Sequence, residues 1–242
     1  MMEAFQARHE VLPDPEALAR RTADWLLDLA TTKQGDFFLC LAGGSTPRRL
    51  YRLLAEAPYR HSLPWARIHL FWGDERFVPH EDARSNFRMV REALLSNASI
   101  PAANIHPIPT DHIDPYAAAG AYESVLKSCY GADRLLPGRP LFDVTLLGLG
   151  TDGHTASLFP GTGALSERSR WVVPVIGANE ETRITLTYPA LESSGQVAFL
   201  VEGGEKQSIV RQLSEGDADL PAARLKPAGQ LTWFLDRAAA GA

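Results

Sequence analysis

The stretch that most constrains this chain is residues 142–161, FDVTLLGLGTDGHTASLFPG. Its first six residues are a nearly continuous apolar run with β-branched members, the pattern of a strand buried on both faces. The next seven, residues 148–154, are a glycine-rich loop carrying Asp152 and His154 two positions apart. Open α/β sheets place ligands in the crevice beyond the carboxyl ends of such strands. An imidazole has an ordinary pKa of about 6.5, which suits proton transfer near neutrality. His154 is therefore read as the candidate base of a hydrolase, with Asp152 tuning or orienting it.

The same loop contains a decoy. Residues 148–153 spell G-x-G-x-x-G after a strand, the fingerprint of dinucleotide sites. Asp152 inside the loop would repel a pyrophosphate. Pro160-Gly161 arrives before a crossover helix of ordinary length could form. About 20 residues on, where a ribose-binding acid is required, the chain reads Trp171-Val172-Val173.

Two other apolar runs end in polar loops. Residues 37–42 lead into Gly43-Gly44-Ser45-Thr46-Pro47, and residues 68–72 into Gly73-Asp74-Glu75-Arg76, read as a charged loop. In a parallel sheet all three loops leave from one edge, and that convergence favours a site. In the first, Ser45 or Thr46 suits a helix cap and Pro47 the first helical position. The free N–H groups and helix dipole there favour an anion, although the same residues also make an ordinary tight turn. Without the Walker spacing and its lysine, a phosphate monoester fits better than a nucleoside triphosphate. Arg48 and Arg49 add positive charge or simply face solvent. Arg183, opening a strand, and Lys206, opening a helix, are candidates to complete the anion pocket; either alone also reads as surface charge.

The rest of the chain alternates in type. A helix capped by Asp14-Pro15-Glu16 runs toward Gly35, another covers 86–95, and a third covers 116–130 before Gly131. Residues 104–108, 171–175, 183–187, 196–201 and 230–235 read as strands, and 205–213 as a helix. The expected fold class is α/β: a Rossmann-like, mostly parallel sheet with helices on both faces. No linker or repeat divides the sequence, so residues 1–242 read as one domain.

Bulk properties narrow the partners. With 24 basic and 29 acidic residues the net charge is −5, which argues against nucleic-acid binding. No run reaches the ~18 apolar residues of a membrane span, and the amino terminus lacks the apolar core of a secretory leader. A cytoplasmic protein, monomer or weak homodimer, is expected. Cys40 and Cys129 form neither a disulfide framework nor a zinc site. His69, His80, His106 and His112 show no recognised zinc-ligand spacing. Ser157 follows His154 by three positions, but no G-x-S-x-G elbow supports a covalent serine mechanism.

Taken together, Gly43-Gly44-Ser45-Thr46-Pro47, Gly73-Asp74-Glu75-Arg76 with Val78-Pro79 and Ser85-Asn86, and Gly148-x-Gly150-x-Asp152-Gly153-His154-x-Ala156-Ser157-Leu158-Phe159-Pro160 closely resemble the 6-phosphogluconolactonase family. The resemblance implies the NagB-like fold shared with glucosamine-6-phosphate deaminase. It implies hydrolysis of 6-phosphoglucono-δ-lactone to 6-phosphogluconate in the oxidative pentose phosphate pathway, without cofactor or metal. It also implies Gly43, Gly44, Ser45, Thr46, Asn86, Arg183 and Lys206 as substrate-binding residues. His154, Asp152, Arg76 and Asp74 are its catalytic set; either aspartate could serve the imidazole or sugar hydroxyls, and Arg76 or loop N–H groups the oxyanion. In the related deaminases a stretch like A-F-N-E-P follows the histidine, and its glutamate serves that histidine. Here residues 156–160 read ASLFP, with no carboxylate, which favours the lactonase. A non-catalytic sugar-phosphate sensor is the alternative from another class. It would call for a helix-turn-helix, and the first ~35 residues supply one helix without a basic face.

Overall fold

The structure, a computed structural model, describes residues 7–111, 114–178 and 181–242. The first element among the described residues is β1 (Arg8–Leu12), which the sequence pattern does not announce. Helix α1 (Pro15–Thr32) follows, with Asp14 accepting a hydrogen bond from Ala17 N at 2.8 Å and Pro15 in the first turn. Its buried stripe of Leu18, Thr22, Ala23, Leu26 and Ala30 recurs at helical spacing and faces the sheet. Then come β2 (Phe37–Leu41), α2 (Ser45–Leu54), the short α3 (Tyr59–Ser62) and β3 (Ile68–Trp72).

Residues 74–76 correct the sequence reading. They form a short strand, β4 (Asp74–Arg76), and not a loop. Gly73 makes the transfer: its N–H still bonds Leu41 O in the main sheet at 2.9 Å, while its carbonyl accepts Leu186 N at 2.8 Å from a second sheet. A three-charge strand is unreadable by hydrophobic pattern, because its ladder is made by partners more than 100 residues away.

Helix α4 (Asn86–Val90) continues as one π-helical turn over Arg91–Leu95, so the expected helix over 86–95 is present with a widened second half. Strand β5 (Ile105–His106), α5 (Pro115–Tyr130) and β6 (Phe142–Leu147) follow. Asp114 caps α5, and Gly131 ends it in the left-handed conformation that glycine adopts without steric cost. The chain closes with β7 (Val172–Val175), β8 (Arg183–Leu186), α6 (Tyr188–Glu192), β9 (Ser194–Val201), α7 (Gln207–Ser214), β10 (Gln230–Asp236) and α8 (Arg237–Ala240).

Seven strands make one parallel sheet in the order β1-β10-β9-β6-β2-β3-β5. From β2 the chain works outward through β3 and β5. From β6 it works outward the other way, through β9 and β10. The direction reverses between β2 and β6, and a crevice opens at the carboxyl ends of that pair. The remaining strands form an antiparallel sheet, β4-β8-β7, laid over the same edge.

The centre of the large sheet is aromatic and sealed: Phe71, Trp72, Phe142, Phe199 and Phe234 are fully buried. Each such side chain contributes roughly 1.5–3 kcal/mol relative to exposure. Two tyrosines pin the strand ends where the site begins. Tyr51 Oη accepts Ala42 N at 3.0 Å and donates to Ala42 O at 2.9 Å, just past β2. Tyr122 Oη does the same for Trp72, at 2.8 and 3.0 Å. Each hydroxyl satisfies backbone groups where the chain leaves the ladder, so the loops depart from fixed points.

Candidate active site

At the β2–β6 reversal lies a cleft of about 430 Å³, within the usual range for small-ligand pockets. Three walls come from the turn after β2, from Asp74 and Arg76 on β4, and from the loop after β6. The fourth comes from the end of β9 with Gly203 and Lys206. The three segments that sequence reasoning aimed at one edge do meet there, the second of them as strand β4.

The turn after β2 is an open anion seat. Gly44 stands at the N-cap of α2 with φ 106°, a region that favours glycine, and no side chain caps the helix. Four other helix starts differ: Asp14, Ser85, Asp114 and Asp236 each accept a first-turn amide, while α3, α6 and α7 also lack a side-chain cap. The first amides of a helix lack intrahelical partners, so those of α2 face the cleft with the positive end of the dipole. Lys206 lines the opposite side and makes no ion pair among the described residues. Arg49, in contrast, is spent on Glu16 and on Glu202 at 3.4 Å.

His154 faces the cleft, and its Nδ1 lies 2.5 Å from Asp152 Oδ1. The same carboxylate oxygen accepts the His154 backbone N–H at 3.1 Å. Asp152 does not line the cleft itself; it stands behind the imidazole and opens on a neighbouring hollow. Partial burial works to raise the Asp152 pKa, but the hydrogen bonds from His154 bring it below the ordinary carboxylate value on balance. Gly150 makes room for the ring: a Cβ there would lie 2.0 Å from His154 Nδ1. Phe159 packs against the imidazole, with ring centroids 4.5 Å apart, and Arg183 Cζ sits 5.9 Å from the same phenyl ring. Phe159 thus contacts both the imidazole and the guanidinium, a role the sequence reading did not assign to it.

Asp74 belongs to a different set. Its Oδ2 accepts Ser157 Oγ at 2.6 Å and lies 4.0 Å from Arg183 Nη1, and its Oδ1 accepts Asn86 Nδ2 at 3.2 Å. Asp152 braces the imidazole, and Asp74 organises the cationic wall. Ser157, fully buried, donates to Asp74 and has no bond to His154, so it is no nucleophile of a serine dyad. Ala156, just before it, takes a φ of 48°, which turns the chain between His154 and Ser157.

Asn86 is 2% exposed and spends its amide inside the protein, on Asp74 and on Arg76 Nη1 at 2.9 Å. It borders the cleft as a bridge between two charged residues. Arg76 and Arg183 are direct cross-strand partners in the β4–β8 register. Like charges so placed repel, and each Nε is buried without a hydrogen-bond partner. Burial lowers the Arg183 pKa, Asp74 and Glu181 pull it back, and Arg76 adds to the lowering. Glu181, 3.3 Å from Arg183 Nη2, and Asp74 answer part of this charge, while Arg76 makes no ion pair among the described residues and leaves positive charge at the cleft.

Among the described residues, no group of three or more His, Cys, Asp or Glu side chains is placed to hold a metal. His69 Nδ1 and His106 Nε2 meet at 3.1 Å on the amino-terminal half of the sheet edge, and His112 lies outside the described residues. No described helix is long and apolar enough to cross a membrane.

The family model for glucosamine-6-phosphate isomerases/6-phosphogluconolactonase matches residues 13–233. The chain belongs to this family. A 6-phosphogluconolactonase of Nostoc sp. is 43% identical over 240 residues, covering 96% of both chains. The chloroplastic 6-phosphogluconolactonase 3 of Arabidopsis thaliana is 39% identical and covers 92% of this chain and 70% of its own. The crystal structure of the Thermotoga maritima 6-phosphogluconolactonase superposes with a TM-score of 0.81 at 31% identity, over 96% of this chain and 100% of that one. A monomeric glucosamine-6-phosphate deaminase reaches a TM-score of 0.80 at 24% identity, over 97% and 99% of the two chains, which shows a shared fold.

Proposed function

We propose that this family member is a cytoplasmic enzyme of one domain that hydrolyses 6-phosphoglucono-δ-lactone to 6-phosphogluconate, with His154 as general base. The observation that carries the reading is the placing of His154, braced by Asp152, across one cleft from an uncapped helix turn and a lysine without an ion pair among the described residues. The substrate phosphate rests on the amides of residues 44–46 and on Lys206. The lactone carbonyl lies toward His154 and the arginine pair.

Asp152 accepts from Nδ1 and fixes the neutral ring as the tautomer with its lone pair on Nε2. Nε2 takes a proton from water while the water oxygen bonds to C1. Charge gathers on the former carbonyl oxygen and is met by Arg76 and Arg183. When the oxyanion collapses, the C1–O5 bond breaks and the proton held by His154 passes to the ring oxygen. The product carries a carboxylate where the lactone carbonyl stood, and the arginine pair is well matched to it.

No carboxylate occupies residues 155–160, so nothing there supplies the deaminase glutamate. The test is hydrolysis of fresh 6-phosphogluconolactone, followed by coupled oxidation of the product and corrected for the spontaneous rate. Saturable acceleration proportional to enzyme is expected, and a rate equal to the uncatalysed background would leave only the sensor reading.

A further inference from the structure

Glu75 carries no part of the chemistry described above, yet its carboxylate is saturated. It is 1% exposed. Arg76 N and Asn86 N donate to Oε1 at 2.8 and 2.7 Å, and Phe87 N and Ser85 Oγ to Oε2 at 2.7 and 3.0 Å. Side chains alternate along a strand, so Asp74 and Arg76 line the cleft while Glu75 points away from it. Asn86 N and Phe87 N are first-turn amides of α4, groups that a helix cannot satisfy itself. Ser85 caps the same helix through Arg88 N at 3.1 Å. The carboxylate therefore clamps the start of α4 onto β4 and fixes where the intervening residues 77–84 return.

What that clamp delivers is Asn86. Its Nδ2 donates to Asp74 O at 2.9 Å and to Asp74 Oδ1 at 3.2 Å, and its Oδ1 accepts Arg76 Nη1 at 2.9 Å. It also packs on the anion turn, where a Cβ on Gly43 would lie 2.1 Å from Asn86 Oδ1. One amide thus ties Asp74 and Arg76 to the phosphate seat.

We infer that Glu75 is a positioning residue: through Asn86 it sets the Arg76 guanidinium at the cleft without touching substrate. The inference rests on the proposed reading of the cleft. The chemistry explains the residue type. Four donors converge on Glu75 and no acceptor does. Glutamine would set its own N–H₂ against one of those donors. Aspartate is a methylene too short to span both backbone amides. Burial pushes the Glu75 pKa up, and the four donors oppose that push.

The test is Glu75→Gln in the full chain, with steady-state kinetics on 6-phosphogluconolactone. A group displaced by about 1 Å costs on the order of 10²-fold, so kcat should fall about 10- to 100-fold while KM stays within about twofold. In an Arg76→Ala background the same change should cost nothing further, because the effect travels through Arg76. A second readout does not depend on turnover. The Arg76 Nε–H signal in a ¹⁵N spectrum, assigned by its loss in Arg76→Ala, should shift or lose exchange protection in Glu75→Gln, while that of Arg183 stays. If the wild type fails to hydrolyse the lactone, the functional reading falls and this signal still decides the positioning. Additive kinetic losses with an unmoved Arg76 signal would overturn the inference. Should Glu75→Gln not fold, Asn86→Ala keeps the backbone donors of the Glu75 clamp and removes the bridge with its packing on the Gly43 turn. The same kcat loss and Arg76 shift are then expected, and an unchanged kcat refutes the role.

Discussion

Asp152 Oδ1 and His154 Nδ1 are 2.5 Å apart, and the same oxygen holds the His154 backbone N–H at 3.1 Å. The backbone bond holds the carboxylate in place, so the imidazole cannot turn without giving up its own bond to that oxygen. This relationship separates the two aspartates that sequence alone leaves interchangeable.

Asp152→Asn keeps an oxygen acceptor for Nδ1–H and removes the charge. Charge-assisted hydrogen bonds contribute roughly 1.5–3 kcal/mol, against about 1 for neutral ones. The difference of about 0.5–2 kcal/mol corresponds to a loss of about 2- to 30-fold in kcat, with KM unchanged. His154→Ala should cost about 10²–10⁴-fold, the usual contribution of a general base. Stopped assays on fresh lactone measure both. An Asp152→Asn loss as large as that of His154→Ala would point to a wrong tautomer instead of a weakened imidazolium.

Gly150→Ala tests the seat of the ring without touching any functional group. The new methyl would lie 2.0 Å from Nδ1 and 2.6 Å from Asp152 Oδ1, so the imidazole must move. Displacement of about 1 Å should lower kcat about 10²-fold. Phosphate affinity, read by protection against thermal unfolding, should not change, because residues 44–46 and Lys206 are untouched. Loss of phosphate protection in this variant would place the anion nearer the histidine loop than the α2 turn.

How much of this was legible follows from the range of the forces involved. Strands 2, 3 and 6 show as apolar runs because they are buried on both faces by helices, and their glycine loops show because turns demand special residues. Asp14, Asp114 and Gly131 announce helix ends through local hydrogen bonds alone. Strand β4 is invisible because Asp74-Glu75-Arg76 has no apolar pattern, and its pairing with residues 183–185 is remote in sequence. The edge strand β1, with alternate residues in solvent, carries equally little signal. Within the site, the sequence brings most of the expected residues to one cleft, yet their grouping is not readable from it. Only the fold shows that Asp152 serves the imidazole, that Asp74 serves Arg183 and Ser157, and that Phe159 touches both the histidine and the arginine.

Lys206→Met removes the ammonium and keeps the apolar stem. A lost charge-assisted bond to the phosphate should raise KM about 10- to 100-fold, with kcat near wild type. Glucono-δ-lactone, which lacks the phosphate, supplies the control. Its kcat/KM, although low, should be the same for variant and wild type. An equal loss on both lactones would remove Lys206 from the phosphate seat and give it to the reacting end.

A last prediction concerns stability. His106 stacks on Phe71 with ring centroids 4.6 Å apart and faces His69 across 3.1 Å, with Asp36 at 3.8 Å from the far nitrogen of His69. Burial, aided by His69, lowers the His106 pKa from its ordinary 6.5. The unfolded chain then binds a proton before the folded one does. Stability from this group is complete above about pH 6.5 and falls as pH drops from there through the lowered folded value. Urea midpoints measured from pH 7.5 to 5 should therefore decline on the acid side. His106→Phe, which keeps the stack and cannot titrate, should flatten that decline. A variant whose midpoints fall with the same slope as wild type would show that the acid sensitivity arises elsewhere in the chain.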